Sequence, residues 1–235
     1  PRGQIQRSQI SELILDDIRK QQLENRITPG MRIAVTAGSR EITNIVQIIK
    51  TVVDFIKDCG ASPFIFPAMG SHGGATAEGQ LEVLAGYGIT EETMGCPILS
   101  SMDTVQISTA PNGLPVHIDK YAAQADGIIP IGRIKPHTDF HGKYESGLMK
   151  MLTIGLGKQY GANLCHSLGM SNMPENIAAY AGEVLRLKNV IFGVGIIEAA
   201  LHATYKLTVV PGERIGGDGP ALLQEAKPLV PCIPF

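Results

Sequence analysis

The sequence is short of charge, and what charge it has shows no bias of sign. Only 18% of the 235 residues are charged, and the net charge is −2. Nucleic-acid-binding domains usually carry a basic face, and disordered chains are usually rich in charge, so the composition favours neither class. With 44% hydrophobic residues, a chain of this length buries a sizeable core without disulfides or metals to support it.

Long apolar runs and paired cysteines are also missing. No stretch of about 18 uncharged apolar residues is present, which argues against a transmembrane helix. The four cysteines lie far apart with no C-x-x-C pair, so we expect free thiols rather than a zinc or thioredoxin-like motif. The polar first residues do not resemble a signal peptide. The sequence therefore predicts a cytoplasmic protein that binds neither membranes nor nucleic acid.

Short apolar runs alternate with amphipathic stretches along the chain. Runs at 32–36, 63–66, 127–132, 190–197 and 206–210 predict strands, and stretches at 5–25, 42–59, 76–87 and 174–187 predict helices. Residues 104–110 and 114–119 predict a hairpin. The alternation predicts an α/β, Rossmann-like layered fold with a mostly parallel sheet and helices on both faces. We expect residues 1–210 to form this domain and residues 211–235 to begin a linker to a second domain.

Polar side chains follow three of the predicted strands. Ser39 and Arg40 follow the first, His72 follows the second within a glycine-rich loop, and His137 follows the run that ends near residue 132. Ligands of open α/β sheets bind beyond the carboxyl ends of the strands, so these loops form a candidate site. A helix N-terminus with Arg40 suits a phosphate, the alternative being a capping Ser39 and a solvated arginine. His72 is either a ligand-facing side chain or a cap of the next helix.

Three further positions could carry chemistry. His137, Asp139 and His141 suit a metal ion or an oriented acid–base group, and a polar surface loop is the alternative. Lys150 lies in an almost uncharged stretch, where desolvation would make its amine nucleophilic unless the side chain reaches solvent. His166 lies on an apolar face, where a hydrogen-bonded core histidine is the commoner outcome. No G-x-G-x-x-G or P-loop sequence is present, which disfavours a dinucleotide site.

Taken in order, these segments resemble the nickel-dependent lactate racemase family, specifically its N-terminal domain. The resemblance runs from about Arg32 to Leu168 and more weakly to Val210. It rests on Ser39-Arg40, Gly70-Ser-His72, Pro136-His137, a Gly-x-x-Lys that ends at Lys150, and a Cys-His166-Ser-Leu that follows sixteen residues later.

The resemblance implies a cofactor and a reaction. The cofactor is the nickel-pincer nucleotide (pyridinium-3,5-bisthiocarboxylic acid mononucleotide nickel), and the reaction is racemisation or epimerisation of a lactate-like 2-hydroxy acid by reversible hydride transfer. In the family a lysine is tethered to the cofactor, a histidine binds nickel, and an arginine helps to hold the phosphate. By position these residues are Lys150, His166 and Arg40, with Ser39 beside the arginine.

The resemblance also implies that two histidines act as acid and base on opposite faces of the substrate, which match His72 and His137. The usual Gly-Gly-x-Lys is here Gly147-Leu-Met-Lys150, and about three extra residues, including His141, precede this lysine. His141 is therefore an alternative second base, and the substrate need not be lactate. The expected partners are the substrate and the cofactor-synthesis enzymes, and a homo-oligomer is left open.

Two other functions remain as alternatives. One is a non-catalytic nucleotide- or phosphate-binding module, which would use Ser39 and Arg40 and none of the histidines. The other is a metal-dependent hydrolase built on His137, Asp139 and His141, whose close spacing permits a mononuclear site.

Overall fold

Strands and helices alternate along the residues that the computed structural model describes, which are 4–137, 141–167, 169–199 and 203–229. The strands are β1 (Arg32–Ala37), β2 (Ser62–Pro67), β3 (Thr104–Thr109), β4 (Pro115–Asp119), β5 (Gly127–Ile129), β6 (Ile131–Arg133), β7 (Phe192–Glu198) and β8 (Thr204–Pro211). The α-helices are α1 (Ile10–Lys20), α2 (Ile45–Asp58), α3 (Ala77–Gly86), α4 (Glu91–Met94), α5 (Lys120–Ala123), α6 (Gly147–Lys150), α7 (Leu156–Ser167), α8 (Met173–Leu187) and α9 (Ile215–Ala226). A π-helical turn, Met151–Gly155, joins α6 to α7.

A mixed sheet forms the centre of the fold. β1 pairs in parallel with β2 on one side and β5 on the other, and β6 pairs in parallel with β7. β5 and β6 are parts of one strand, interrupted at Pro130, which has no N–H to donate to a ladder. β8 is antiparallel to β7. The order β2–β1–β5/β6–β7–β8 confirms the predicted, mostly parallel sheet.

In the central sheet, successive residues of a strand face opposite cores, as the two-residue repeat of a strand requires. In β1, Ile33 and Val35 pack with residues of α1, α2 and α3, whereas Ala34 packs with residues of α7, α8 and α9. Helices therefore cover both faces of the sheet, as predicted. No helix in the described ranges has the length and apolarity needed to cross a lipid bilayer.

The structure differs from the predicted elements mainly at their ends and in one long helical segment. The helix predicted from residue 42 begins at Ile45, because Asn44 before it is left-handed with a φ of 65°. The helical stretch 147–167 was not predicted. α9 lies beyond the predicted boundary at residue 210 and buries Leu222 and Leu223 in the core. The second domain stays a prediction.

Tyr180 of α8 holds the β3–β4 hairpin against the helices. The backbone N–H of His117 donates to the tyrosine oxygen over 2.8 Å, and the hydroxyl donates to the carbonyl of the same histidine. A Cβ atom on Gly161 would lie only 2.5 Å from this oxygen. Because residue 161 is glycine, α7 can pack directly against the Tyr180 hydroxyl. The buried hydroxyl thus provides the hydrogen-bond partner for the N–H and C=O groups of His117 on the edge of β4 that does not pair with β3.

Tyr180→Phe should therefore destabilise the protein, because the N–H and C=O of His117 lose their partner. We expect the free energy of unfolding to fall by about 2 kcal/mol, within the range typical of an orphaned buried polar group. Urea denaturation measures this loss. Tyr205→Phe, which removes a hydroxyl from an exposed side chain, is the matched control. Equal unfolding midpoints for the two variants would contradict the role given to Tyr180.

Candidate active site

The predicted loops meet at one edge of the sheet. Ser39 and Arg40 follow the end of β1, His72 follows β2, and His137 follows β6. Since these strands run in parallel, their carboxyl ends lie at the same edge, where open α/β sheets bind ligands. The structure thus brings together the three loops that the sequence singles out.

His72 is held by hydrogen bonds within its own loop. Its Nδ1 lies 2.8 Å from the carbonyl oxygen of Met69, which accepts the ring proton and leaves Nε2 with its lone pair. The side chain is exposed. It does not cap the following helix α3, because the hydroxyl of Thr76 takes that position and accepts from the N–H of Gly79. The capping alternative is therefore wrong, and the imidazole is available to a ligand.

Lys150 and His166 lie on the two arms of a broken helix. The segment 147–167 is helical except at Lys158, whose φ of 56° and ψ of −161° interrupt it. In an unbroken helix, sixteen residues would separate the two Cα atoms by about 24 Å, at a rise of 1.5 Å per residue. The interruption therefore decides whether the lysine and the histidine can serve one site.

Gly70, in the loop that also carries His72, fits between the two arms. A Cβ placed on it would lie 3.4 Å from Ile154 and 3.8 Å from Ala162. Lys150 precedes Ile154 by four residues, and His166 follows Ala162 by four, so each pair shares one face of its arm. The lysine and the histidine thus lie on the helix faces that border this loop.

The side chain of His166 is exposed, which corrects the expectation of a core histidine. The neighbouring Cys165 is buried instead, because its side of α7 faces the core. Within the described ranges the imidazole ring of His166 has no hydrogen-bond partner, so its ring nitrogens are available to a metal ion. Lys150 is half-buried at the end of α6, neither fully desolvated nor extended into solvent.

Ser39 and Arg40 lie in an irregular loop rather than at a helix N-terminus. α2 begins five residues after Arg40, so Ser39 does not cap it and its own carbonyl accepts from the hydroxyl of Tyr87 over 2.7 Å. The pKa of Lys135 is lowered by partial desolvation and then by the nearby charges of Arg133 and Arg40. An anion at this edge would therefore meet concentrated positive charge.

A buried carboxylate that the sequence did not single out, Glu145, shapes the loop of His137 and His141. It accepts from the backbone N–H of His137 over 2.9 Å and from that of Gly142 over 3.2 Å. Burial raises the pKa of Glu145, but these bonds and His141 outweigh it, so the pKa lies below its usual value. Glu145 thus fixes the backbone where His137 leaves the sheet.

The alternative metal site stays a prediction, because Asp139 lies outside the described residues. Of its other members, His141 has a 77% exposed side chain, with Nδ1 3.5 Å from a Glu145 oxygen. Across the described ranges, no group of three or more His, Cys, Asp or Glu side chains is arranged to hold a metal ion.

Behind the His72 loop lies a buried polar network that sequence reasoning missed. The Lys158 ammonium donates to the carbonyl of Pro67 over 2.6 Å and to Oε1 of Gln80 over 3.3 Å, and lies 3.4 Å from Oδ2 of Asp119. All three polar side chains are fully buried. Burial lowers the pKa of Lys158 and raises that of Asp119, and each charge opposes the other's shift. The apolar surroundings of Lys158 are the one sequence signal for it.

Comparison with known proteins identifies the family. Residues 2–178 match the family model described as the lactate racemase N-terminal domain. Among solved structures, the lactate racemase apoprotein from Thermoanaerobacterium thermosaccharolyticum is similar, with a TM-score of 0.66 and 14% sequence identity.

That similarity covers 95% of this chain and 56% of the racemase chain, so the present chain spans little more than half of that protein. At this identity the likeness shows the fold alone. No curated protein matches the sequence. The family model, however, covers about three quarters of the chain, and on that ground the protein belongs to the lactate racemase N-terminal domain family.

Proposed function

We propose that the chain is the cofactor-holding part of a 2-hydroxy acid racemase or epimerase that uses the nickel-pincer nucleotide. The observation that carries the proposal is the position of Lys150 and His166 on the two helix faces that border the His72 loop. An amine, a free imidazole and a histidine base, set at the carboxyl edge of a parallel sheet, form the donor set that such a cofactor requires.

The residues at this edge suit the cofactor. The Lys150 amine would carry it as an amide, in which its charge is lost, and the exposed imidazole of His166 is a ligand that nickel accepts readily. A mononucleotide has one phosphate, which Ser39, Arg40 and the neighbouring Lys135 would hold without a dinucleotide motif. When bound, the cofactor supplies a site that accepts and returns a hydride.

Racemisation needs a base for the substrate hydroxyl on each face of the carbinol carbon. On one face of C2, Nε2 of His72 would take the proton of the substrate hydroxyl. On the opposite face a second histidine would hold or return that proton, so that either configuration at C2 can form. We assign the second face to His137, since Glu145 fixes its backbone in the loop that follows β6.

The tether is tested by intact-protein mass spectrometry after co-expression with the cofactor-synthesis enzymes. We expect an added mass and bound nickel on the wild-type protein and on Lys143→Ala, a control at an exposed lysine of the preceding loop. Lys150→Ala should lack the adduct, because it removes the amine that forms the bond. A wild-type protein with no added mass and no nickel, with full activity in Lys150→Ala, would overturn the tether.

The acid–base roles are tested by chiral chromatography of lactate and larger 2-hydroxy acids after incubation with histidine variants. His72→Gln and His137→Gln should each lower kcat about 100-fold or more in both directions, because a general base typically contributes that much. His117→Gln, in the β3–β4 hairpin, is the control and should retain activity.

The same series separates the alternatives. Loss of activity in His141→Gln, with activity kept in His137→Gln, would move the second base to His141. Wild-type activity in both His72→Gln and His137→Gln would sink the acid–base assignment and favour the non-catalytic phosphate-binding module. Adduct mass, measured on every variant, distinguishes a lost base from a lost cofactor.

A further inference from the structure

We propose that Lys158, held by Asp119, is a positioning residue that acts through Gln80 to orient the imidazole of His72. The inference rests on the proposed function, in which His72 is an acid–base group. Lys158 lies in the interior, so it touches neither substrate nor cofactor, and its effect must pass through the residues that it binds.

The first link joins Lys158 to both ends of the His72 loop. Its ammonium donates to the carbonyl of Pro67, the last residue of β2, and to Oε1 of Gln80 on α3. β2 leads into the loop and α3 follows it, so one cation ties together the strand and the helix between which the loop runs. Hydrogen bonds from a charged donor are roughly twice as strong as neutral ones, which suits an anchor.

The second link runs from Gln80 into the loop itself. Because Oε1 faces Lys158, the amide nitrogen points the other way and donates to the carbonyls of Gly70 and His72, at 2.9 and 3.1 Å. Lys158 thereby also fixes which end of the amide is oxygen, since an ammonium has no acceptor for an N–H. A flipped amide would present oxygen to two carbonyl oxygens and release the loop.

The third link sets the imidazole. One residue before Gly70, the Met69 carbonyl accepts both the backbone N–H of His72 and, at 2.8 Å, its Nδ1–H. That bond selects the tautomer with the proton on Nδ1 and the lone pair on Nε2, the atom that would take the substrate proton. If the loop shifts, the bond to Met69 is lost and the neutral ring reverts toward the Nε2–H tautomer that histidine prefers in water.

Two features of Lys158 argue for a positioning role beyond plain packing. Its φ of 56° with ψ of −161° lies near a region of backbone space that is occupied almost only by glycine, and such conformations persist where the surroundings over-determine them. Its partner Asp119 uses Oδ1 to accept from the N–H groups of Tyr121 and Ala122, at 2.8 and 3.0 Å, which directs Oδ2 at the ammonium. A fully buried ion pair is a weak source of stability, so geometry is the better account of it.

The test uses the full-length protein isolated after co-expression, labelled with ¹⁵N at histidine. Long-range ¹H–¹⁵N spectra report the tautomer of each ring, and the His72→Gln spectrum assigns the signal of His72. We expect the Nδ1–H form in the wild type. Gln80→Met, which keeps the side-chain length and the buried ion pair but removes both loop hydrogen bonds, should shift His72 to mixed tautomers.

Lys158→Met should cause the same change, but it leaves the buried Asp119 carboxylate without its partner. The double variant Lys158→Met/Asp119→Asn removes both charges and should also shift the tautomer. Lys188→Met is the control, since Lys188 also donates from Nζ to a backbone carbonyl, that of Ala123, but outside this network. In the active enzyme, Gln80→Met and the double variant should lower kcat about 10- to 100-fold, the effect expected of a displaced catalytic group. KM and the adduct on Lys150 should change little.

The outcomes separate the two proposals. A folded double variant or Gln80→Met that keeps both the wild-type tautomer and the wild-type kcat overturns the positioning role. If Lys158→Met and the double variant fail to fold, Gln80→Met decides, because it leaves the ion pair intact. If the wild type carries no adduct and interconverts no hydroxy acid, the proposed function fails, and the tautomer of His72 still decides the positioning role.

Discussion

The break at Lys158 in the helical stretch 147–167 is the constraint on which the candidate site depends. A continuous helix would carry His166 away from Lys150 by more than four turns, and the two side chains could not meet one ligand. The break lets both arms pack against Gly70, whose φ of 59° and missing Cβ allow the close approach. One backbone irregularity therefore links the lysine, the candidate nickel ligand and the His72 loop.

The loops at the carboxyl edge share a mode of support. Each is held by a buried or half-buried polar side chain that binds the backbone of the loop. Gln80 binds the carbonyls of the His72 loop, Glu145 binds the N–H groups of the His137 loop, and Glu198 binds the N–H of Thr43 after β1. Glu198 also pairs with Arg133 at 2.7 Å, with both side chains largely buried. Because the core holds each supporting side chain in place, the loop that it binds is held in place as well. A preorganised site needs loops that are fixed in this way.

The sheet was predictable because its strands are buried on both faces and so read as continuous apolar runs between glycine and proline. The helical stretch 147–167 was not predictable, since glycines at 155, 157 and 161 lower its intrinsic helix propensity. Burial of Leu152 and Leu156 in the core stabilises the helix instead. Local pattern also misjudged His166, because the apolar residues around it face the core while its own side chain faces out.

Some residues of the candidate site could likewise be predicted from local sequence, and others could not. His72, Lys150 and His166 could be found from the order and spacing of short motifs, since those residues belong to local segments. Gln80 and Asp119 could not, because their roles exist only once distant segments have packed: Asp119 closes a hairpin, Gln80 lies on α3, and both meet a lysine that is remote in sequence. Glu145 acts within its own loop, but no sequence pattern shows that its carboxylate binds the backbone there. A sequence pattern records which side chains could act on a ligand, and the packed structure adds those that hold them.

This division explains why polar groups rather than apolar ones lie behind the His72 loop. An apolar contact resists separation but hardly resists sliding, since dispersion and burial have little directional preference. Hydrogen bonds from Lys158 and Gln80 to carbonyl oxygens lose strength with small changes in distance and angle, so they define the position of the loop and not merely its proximity. The buried ion pair with Asp119 favours the charged ammonium and so opposes the lowering of the Lys158 pKa that burial causes. A neutral amine would keep a lone pair able to accept from the Gln80 amide, and the direction of that amide, on which the His72 tautomer depends, would no longer be set.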